Sequence, residues 1–241
     1  MNNCLWQPSD LARKNSLLKD FSKFINLKFE NFEDIWKWSV ENPEIFWSKF
    51  WDFSGIVGNK GKDTILKNKI FNKTKFFLYS KLNYAENILK KKTKQLAIGF
   101  LSESGYEEQI SWKELYNQVC KFSAYLKSLD LKKGDRVAAY VPNKIESVVC
   151  FLACAKNGII WSSCSPDFGV QGVVDRFKQI EPKILITCNY YFYNGKRINI
   201  LANIDEILKQ IPSIKNTLVF SYNKKEKVNL NKFSDFNEIL L

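Results

Sequence analysis

The stretch from Trp161 to Lys183, WSSCSPDFGVQGVVDRFKQIEPK, decides the fold class of this chain. Its first residues continue an apolar strand, the Pro- and Gly-bearing segment after Cys164 forms a turn, and an amphipathic helix follows over residues 170–180. Pro182 then marks the exit into a second apolar strand, Ile184 to Cys188. Strand, helix and strand in this order are typical of one crossover in an open α/β sheet, where ligands bind beyond the carboxyl ends of the strands.

Strands and helices alternate on both sides of this stretch. Ser111 and Glu114 have the spacing of a capping box, so a helix is predicted to begin at Trp112. The adjacent acids Glu107 and Glu108 are interpreted as solvated strand ends and not as a general acid and base. The predicted strands cover 96–101, 107–111, 136–141, 184–188 and 217–220, with a further strand beginning at 159, and the predicted helices cover 112–129, 145–156, 170–180 and 200–211. This order indicates parallel βαβ units with right-handed crossovers.

The N-terminal part is helical and aromatic. Leu11, Leu18, Phe21 and Ile25 lie at helical spacing and indicate a first helix. A second helix is predicted with Asn31 as its N-cap, and a third with Pro43 in its first turn. This part also holds five of the seven Trp residues: Trp6, Trp36, Trp38, Trp47 and Trp51. We interpret this part as an aromatic helical cap packed on a larger body and not as a ligand cage, because aromatic side chains of this kind mainly bury area.

The composition shift near residue 94 sets the predicted domain boundary. Residues 54–82 carry Gly and Lys with little pattern and are interpreted as a surface excursion, and 82–89 as a short helix. We therefore expect an N-terminal helical cap and wrapping segment over residues 1–93. Residues 94–241 are expected to form the first part of an α/β domain.

The charge and the apolar content of the chain argue against nucleic-acid-binding and membrane-spanning proteins. The formal net charge is +12, and the excess is almost entirely Lys, 33 residues against 4 Arg. The Lys are scattered and form no stripe with Arg and aromatic residues, so we expect a solvated surface and no nucleic-acid partner. The most apolar run, Ser147 to Cys164, is interrupted by charged and polar residues, so no membrane span is predicted. The first residues lack the pattern of a signal peptide.

Cysteine and histidine usage excludes several kinds of site. The six Cys form no C-x-x-C pair and there is no His, which removes His-dependent nucleophilic catalysis and His-ligated metals. We expect reduced thiols and a cytoplasmic location. Cys150 and Cys154 share a helix face and are interpreted as core thiols. Neither a G-x-x-x-x-G-K-[ST] nor a G-x-G-x-x-G phosphate loop is present.

Several segments together resemble one enzyme family. They are FSG (53–55), LNYAENIL (82–89), ISWKELY (110–116), KGDRVAAYVPN (133–143) and the Trp161–Lys183 stretch. In this order they are similar to the acetoacetyl-CoA synthetases, which belong to the AMP-forming acyl-CoA synthetases. Acetate- and propionate-type synthetases share the layout but do not usually have WSSCSPDFG after the strand. The resemblance implies an adenylate-forming domain with a mainly parallel sheet.

The resemblance also implies a reaction. The carboxylate of acetoacetate would attack the α-phosphate of ATP, with Mg²⁺ offsetting phosphate charge, and the thiol of CoA would then displace AMP. The family's phosphate loop, hinge and C-terminal Lys have no counterpart in these residues. We therefore expect the chain to be the front portion of an acetoacetate–CoA ligase and to be inactive alone. Two alternatives remain open: a ligase for acetate or another short acid, and a non-catalytic module derived from such an enzyme.

The resemblance finally implies binding residues for CoA and no catalytic or metal-binding residue in this chain. The candidate positions are Ser165, Pro166, Asp167, Tyr193, Asn194, Gly195 and Lys196. Lys196 can meet a phosphate of CoA as a point charge. Two other readings stay open: Asn194-Gly195 as a plain hairpin turn, and Asp167 as a helix cap.

Overall fold

Two structural units divide the chain between residues 82 and 83. The structure is a computed structural model, and it describes residues 5–68, 70–226 and 233–240. The boundary between these two units lies closer to the N-terminus than the 93/94 boundary predicted from composition. The helix that follows residue 83 belongs to the second unit, where the Asn83 side-chain amide donates to the Ala155 carbonyl at 2.9 Å.

The first unit begins with four helices. They are α1 (Asp10–Lys14), α2 (Leu17–Phe24), α3 (Phe32–Glu41) and α4 (Pro43–Phe53). The predicted single first helix is wrong, because the Ser16 hydroxyl accepts from Lys19 N as the N-cap of α2 and divides it from α1. The predicted starts at Asn31 and Pro43 are confirmed: the Asn31 side chain accepts from Asp34 N at 3.0 Å, and Pro43 opens α4.

Aromatic packing holds these helices together. Phe21 is 4% exposed. Its ring lies 5.8 Å from Phe46, 6.0 Å from Phe50 and 5.2 Å from Phe53, all in edge-to-face geometry. Such pairs add about 0.5–1.5 kcal/mol beyond the area that they bury. These Phe contacts fit an aromatic helical cap, but Trp6 and Trp36 are 77% and 57% exposed, so the expectation that the Trp side chains mainly bury area is wrong for these two.

Short antiparallel pairs follow the helices. Strand β1 (Gly58–Asn59) pairs with β4 (Lys81–Leu82), and β2 (Ile65–Leu66) pairs with β3 (Lys75–Phe76). A 3-10 turn covers Phe71–Lys73. Lys60 Nζ lies 2.7 and 2.8 Å from the two carboxylate oxygens of Asp52, which ties this excursion to the end of α4.

The second unit opens with a helix, a hairpin and a long helix. These are α5 (Tyr84–Ile88), β5 (Leu96–Leu101) antiparallel to β6 (Glu107–Ser111), and α6 (Trp112–Ser128). The predicted capping box is present in full: Ser111 Oγ accepts from Glu114 N, and the Glu114 carboxylate accepts from Ser111 N. The apolar face of α6 is fully buried and consists of Leu115, Val119, Phe122 and Leu126.

A parallel sheet forms the centre of this unit. The remaining elements are β7 (Arg136–Tyr140), α7 (Ile145–Asn157), β8 (Ile160–Cys164), α8 (Val170–Phe177), β9 (Ile184–Cys188), β10 (Tyr190–Tyr193), β11 (Lys196–Asn199), α9 (Leu201–Gln210), β12 (Asn216–Phe220), β13 (Ser234–Asp235) and α10 (Phe236–Ile239). Within the described residues the strand order is β13-β12-β9-β7-β8, and every neighbouring pair is parallel. The predicted α/β fold with a mainly parallel sheet is confirmed.

Helices cover both faces of this sheet. All five residues of β9 are buried, as expected for a strand with helices on either side. α7 packs against α5 and α6, and α8 packs against α9. None of the helices in the described ranges is long and apolar enough to cross a bilayer.

Candidate functional site

The sheet creates a crevice at the carboxyl ends of β7 and β9. These strands are neighbours, but the chain runs from β7 to β8 on one side and from β9 to β12 on the other. Because parallel crossovers are right-handed, α7 and α9 then lie on opposite faces. A crevice between two strands whose connections leave in opposite directions is where open α/β sheets bind ligands.

The loop after β8 carries three of the predicted positions. Ser165 and Asp167 are exposed and Pro166 is buried. The Tyr140 hydroxyl, at the end of β7, lies 2.9 Å from the Pro166 carbonyl and 2.6 Å from the Phe168 carbonyl. Within the loop, Phe168 N donates to Ser165 O at 3.2 Å. The loop is therefore attached to β7 and presents Ser165 and Asp167 outward.

Asp167 does not occupy the cap position of α8. The N-cap is Gly169, and the cap makes no side-chain hydrogen bond. The reading of Asp167 as the N-cap residue is therefore wrong, and its carboxylate is free of that role.

The hairpin between β10 and β11 carries the other four positions. Tyr193 pairs with Lys196, and the turn residues Asn194 and Gly195 have φ of 50° and 73°. Two successive positive φ values are the signature of a type I′ turn, for which Asn-Gly is the preferred pair. All four residues at this tip are exposed. The predicted hairpin turn is confirmed, and its exposed tip leaves Lys196 available to an anionic group.

Each of the two segments has its own anchor. Tyr140 holds the loop, whereas Gly195 N donates to Glu103 Oε2 at 3.0 Å and fixes the hairpin tip to the β5–β6 turn. The negative charge of Asp167 nevertheless affects the pKa of Tyr191, at the base of the hairpin. Burial raises the pKa of Tyr191, and the negative charge of Asp167 raises it further.

A cavity of about 470 Å³ lies beside the loop. Its walls come from β5, from the segment after β7, from the first half of α7, and from β8 with Ser165 at its end. Phe100, Phe151 and Trp161 supply apolar surface, and Ser163 and Ser165 supply hydroxyls. An apolar cleft with a few polar groups is the usual form of a small-molecule site.

A charge cluster that the sequence did not reveal lies at the same end of the unit. Lys144 is buried and pairs with Glu108, and its ammonium lies 3.7 Å from Glu146. Lys224 Nζ lies 2.8 Å from Glu108 Oε1 and 3.0 Å from Glu146 Oε1. The interpretation of Glu108 as a solvated strand end is wrong, because two lysines distant in sequence enclose it. The interpretation holds for Glu107, which is exposed.

Aromatic rings surround the buried ammonium of this cluster. Lys144 Nζ lies 4.6 Å from the ring centre of Phe100, 5.0 Å from Tyr106 and 5.5 Å from Tyr222. Burial alone would raise the pKa of Glu108, but hydrogen bonds from Lys144 and Lys224 outweigh it and hold that pKa below its usual value. The pKa of Lys224 is raised, because burial, which lowers it, is outweighed by Glu146 and Glu108. Glu108 and Lys224 are therefore both ionised at neutral pH, and their pairing attaches the β5–β6 hairpin to the rest of the unit.

The β10–β11 hairpin contains Arg197, which the sequence did not identify as a candidate site residue. The Arg197 guanidinium lies 3.7 Å from the Tyr190 ring centre and 3.2 Å from Glu226 Oε2. The Tyr190 hydroxyl donates to Glu226 Oε1 at 2.8 Å. Arg197 is thus engaged in holding the hairpin, while its neighbour Lys196 stays exposed at the tip.

The thiols of Cys150 and Cys154 are not activated. Cys150 and Cys154 are buried and unpaired with any disulfide partner, which confirms their interpretation as core thiols. Burial raises the pKa of Cys154 to about 12 and that of Cys150 well above its usual value. Among residues 5–68, 70–226 and 233–240, no three His, Cys, Asp or Glu side chains are grouped to hold a metal ion.

Several known proteins are similar to this chain in sequence and in fold. The acetoacetyl-CoA synthetase of Macaca fascicularis is 37% identical over 237 residues, which cover 95% of this chain and 35% of that protein. The malonamoyl-CoA synthetase of Penicillium aethiopicum is 33% identical over 227 residues, covering 89% of this chain and 31% of its own. The solved structure of acetoacetyl-CoA synthetase from Streptomyces lividans superposes with a TM-score of 0.87 at 26% identity, over 98% of this chain and 38% of that one.

The chain thus spans about a third of the length of the curated relatives that it matches. The family of AMP-binding enzymes matches residues 86–238, which is more than half of the chain and contains the parallel sheet, the loop after β8 and the hairpin. This chain belongs to the family of AMP-binding enzymes.

Proposed function

We propose that this chain is the front portion of an ATP-dependent acetoacetate–CoA ligase. In the whole protein, acetoacetate and ATP would give an acyl-adenylate and diphosphate, and CoA would then displace AMP. ATP, CoA and Mg²⁺ are the proposed partners, and neither nucleic acid nor membrane is proposed. The single observation that carries the proposal is the similarity to acetoacetyl-CoA synthetases, which extends over 95% of this chain.

We propose further that the loop after β8 and the hairpin tip meet CoA. The exposed positions are Ser165 and Asp167 on the loop, with Pro166 holding its shape, and Tyr193, Asn194, Gly195 and Lys196 on the hairpin. Lys196 is exposed and can contact a phosphate of CoA by a charge-assisted hydrogen bond. Arg197 next to it is already paired with Glu226, which supports Lys196 as the available cation.

The domain assignment remains a proposal of the same kind. We propose that residues 1–93 act as the N-terminal cap and wrapping segment, and that residues 94–241 begin the adenylate-forming domain. We also propose a cytoplasmic location.

CoA binding tests the proposed site directly. Calorimetric titration of the 241-residue chain with CoA should show binding, and Lys196→Ala should weaken it about fivefold, the effect of one solvent-exposed charge pair worth about 1 kcal/mol. Lys209→Ala removes an exposed lysine from the end of α9 and is the matched control. Equal affinity for all three proteins would remove Lys196 from the site, and absence of binding to the unmodified chain would contradict the CoA site as a whole.

Substrate choice requires the whole enzyme. We expect a protein of the relatives' length that contains this segment to release AMP and diphosphate with acetoacetate, ATP and CoA, and to work less well with acetate. A preference for acetate would favour the short-acid alternative, and inactivity with every acid would favour a non-catalytic module. The 241-residue chain alone should not form acetoacetyl-CoA, and turnover by it would contradict that expectation.

A further inference from the structure

Tyr140 connects the sheet to the loop after β8. It is the last residue of β7 and is 1% exposed. Its hydroxyl oxygen lies 2.9 Å from the Pro166 carbonyl and 2.6 Å from the Phe168 carbonyl. These two carbonyls flank Asp167, so a single hydroxyl fixes the loop on both sides of that exposed residue.

The backbone of Tyr140 is itself held from both neighbouring strands. Thr187 Oγ1 donates to the Tyr140 carbonyl at 2.9 Å from the β9 side. On the β8 side, the next residue, Val141, donates its N–H to the Cys164 carbonyl at 3.2 Å. Because β7 lies between β8 and β9 in the sheet, the backbone position of Tyr140 is fixed, and its side chain can hold the loop in a defined place.

The hydroxyl keeps its proton under ordinary conditions. Burial raises the pKa of Tyr140, a hydrogen bond from Asn203 partly offsets this, and the negative charge of Asp167 and the neighbouring Tyr191 add to the rise. A protonated phenol has one O–H, which it can share between the two carbonyls, whereas a phenolate could only repel them. The pairing of donor and acceptors is therefore stable through the physiological range.

Helix α8 contacts the loop at Phe168, whose ring centre lies 4.3 Å from the Arg176 guanidinium, but this contact does not attach the loop to the sheet. Its N-cap, Gly169, makes no side-chain cap bond, and Ser165, Asp167 and Phe168 are exposed. The backbone bond from Phe168 N to Ser165 O shapes the loop but does not connect it to the sheet. The Tyr140 hydroxyl supplies that connection.

We propose that Tyr140 is a positioning residue: its hydroxyl holds the Ser165–Asp167 loop in the conformation that meets CoA, and CoA affinity depends on it. The second half of this proposal rests on the proposed function, whereas the first half concerns the loop alone. The two halves therefore need separate measurements.

Tyr140→Phe removes the hydroxyl and keeps the ring. We expect amide hydrogen exchange to rise about fivefold in peptides covering residues 165–169, the loss of about one buried hydrogen bond, with little change elsewhere in the sheet. The CoA dissociation constant should rise by a similar factor in calorimetry. Tyr125→Phe is the matched control, because Tyr125 lies on α6 and stacks on Phe122 away from the loop.

A rescue separates positioning from general destabilisation. Substitution of Tyr140 by p-aminophenylalanine restores a hydrogen-bond donor at the same ring position, and we expect both loop exchange and CoA affinity to return toward those of the unmodified chain. Exchange that rises throughout the sheet in Tyr140→Phe, or a loop that stays unchanged, would overturn the proposal.

The remaining outcomes also decide between the two halves. A looser loop with unchanged CoA affinity, in a chain where Lys196→Ala does weaken binding, would overturn the dependence of CoA on Tyr140. A looser loop in a chain that binds no CoA at all would support the positioning role and contradict the proposed CoA site.

Discussion

Glu108 and Lys144 form an ion pair in which the lysine side chain is completely buried and the glutamate is 10% exposed. Lys224 contacts the other oxygen of Glu108 at 2.8 Å, and Glu146 is close to both lysines. Two positive and two negative groups therefore balance inside one unit, close to the candidate site. Buried charges are tolerated only when they are paired in this way.

Glu108→Gln should destabilise the second unit strongly. The amide can still accept a hydrogen bond, but the cluster is left with one uncompensated positive charge. Removal of one partner of a buried pair costs about 3–5 kcal/mol, and the remaining Glu146 places the expected loss at about 3 kcal/mol. Urea unfolding measures it. Glu107→Gln, at the exposed neighbouring position, should change stability by less than about 0.5 kcal/mol, and equal losses for the two variants would contradict a buried pair.

The same pair predicts how stability depends on pH. The pKa of Glu108 is lower in the folded chain than its usual value. Its contribution is therefore complete above the pKa of the unfolded state and is lost as the pH falls through the folded-state pKa. The difference in unfolding free energy between the unmodified chain and Glu108→Gln should shrink on acidification from about pH 6 to pH 3. A constant difference over that range would show that Glu108 does not titrate with the pair.

Sequence reasoning succeeded where the signal was local. The Ser111–Glu114 capping box, the Asn31 cap and Pro43 in a first turn each depend on residues within one helical turn, and all three are present. The break before Ser16 was missed because apolar spacing continued across it, while the hydroxyl of Ser16 offered the backbone a new N-cap.

Sequence reasoning failed where the partner was distant. Glu108 has the appearance of a strand-end acid, and its burial depends on Lys144 and Lys224, which only the folded sheet brings to it. Tyr140 reads as one more apolar strand residue until its hydroxyl is seen between two loop carbonyls. Periodicity reports which face a residue occupies and carries no information on which polar group meets it there.

Gly158→Ala should destabilise the second unit through its backbone conformation. Gly158 ends α7 with φ of 69°, its N–H donates to Ala155 O, and its own carbonyl accepts from Gly134 N at 2.9 Å. A side chain in this left-handed conformation costs about 1–2 kcal/mol, and a Cβ would lie 3.0 Å from Lys133 Cγ. Thermal or urea unfolding measures the loss.

Gly99→Ala is the control for that backbone effect. Gly99 lies in β5, its φ is not positive, and an added Cβ meets no atom within 4 Å. It should therefore be neutral or slightly stabilising, because alanine restricts the unfolded chain. A loss in Gly99→Ala as large as in Gly158→Ala would argue against the left-handed cap as the cause.

Glu103→Gln should strengthen CoA binding if the hairpin tip meets a phosphate. The Glu103 carboxylate accepts from Gly195 N at 3.0 Å and so places a negative charge beside Lys196. Glutamine keeps an oxygen acceptor for that N–H and removes only the charge, so the turn should hold its shape while repulsion of the phosphate falls. We expect about a twofold gain in affinity at low ionic strength that fades near 1 M salt, where the Debye length is about 3 Å. Glu206→Gln, on the exposed side of α9, serves as the control. A gain that persists at high salt would point to a change in the turn itself, and an unchanged affinity at low salt would place the phosphate away from the hairpin tip.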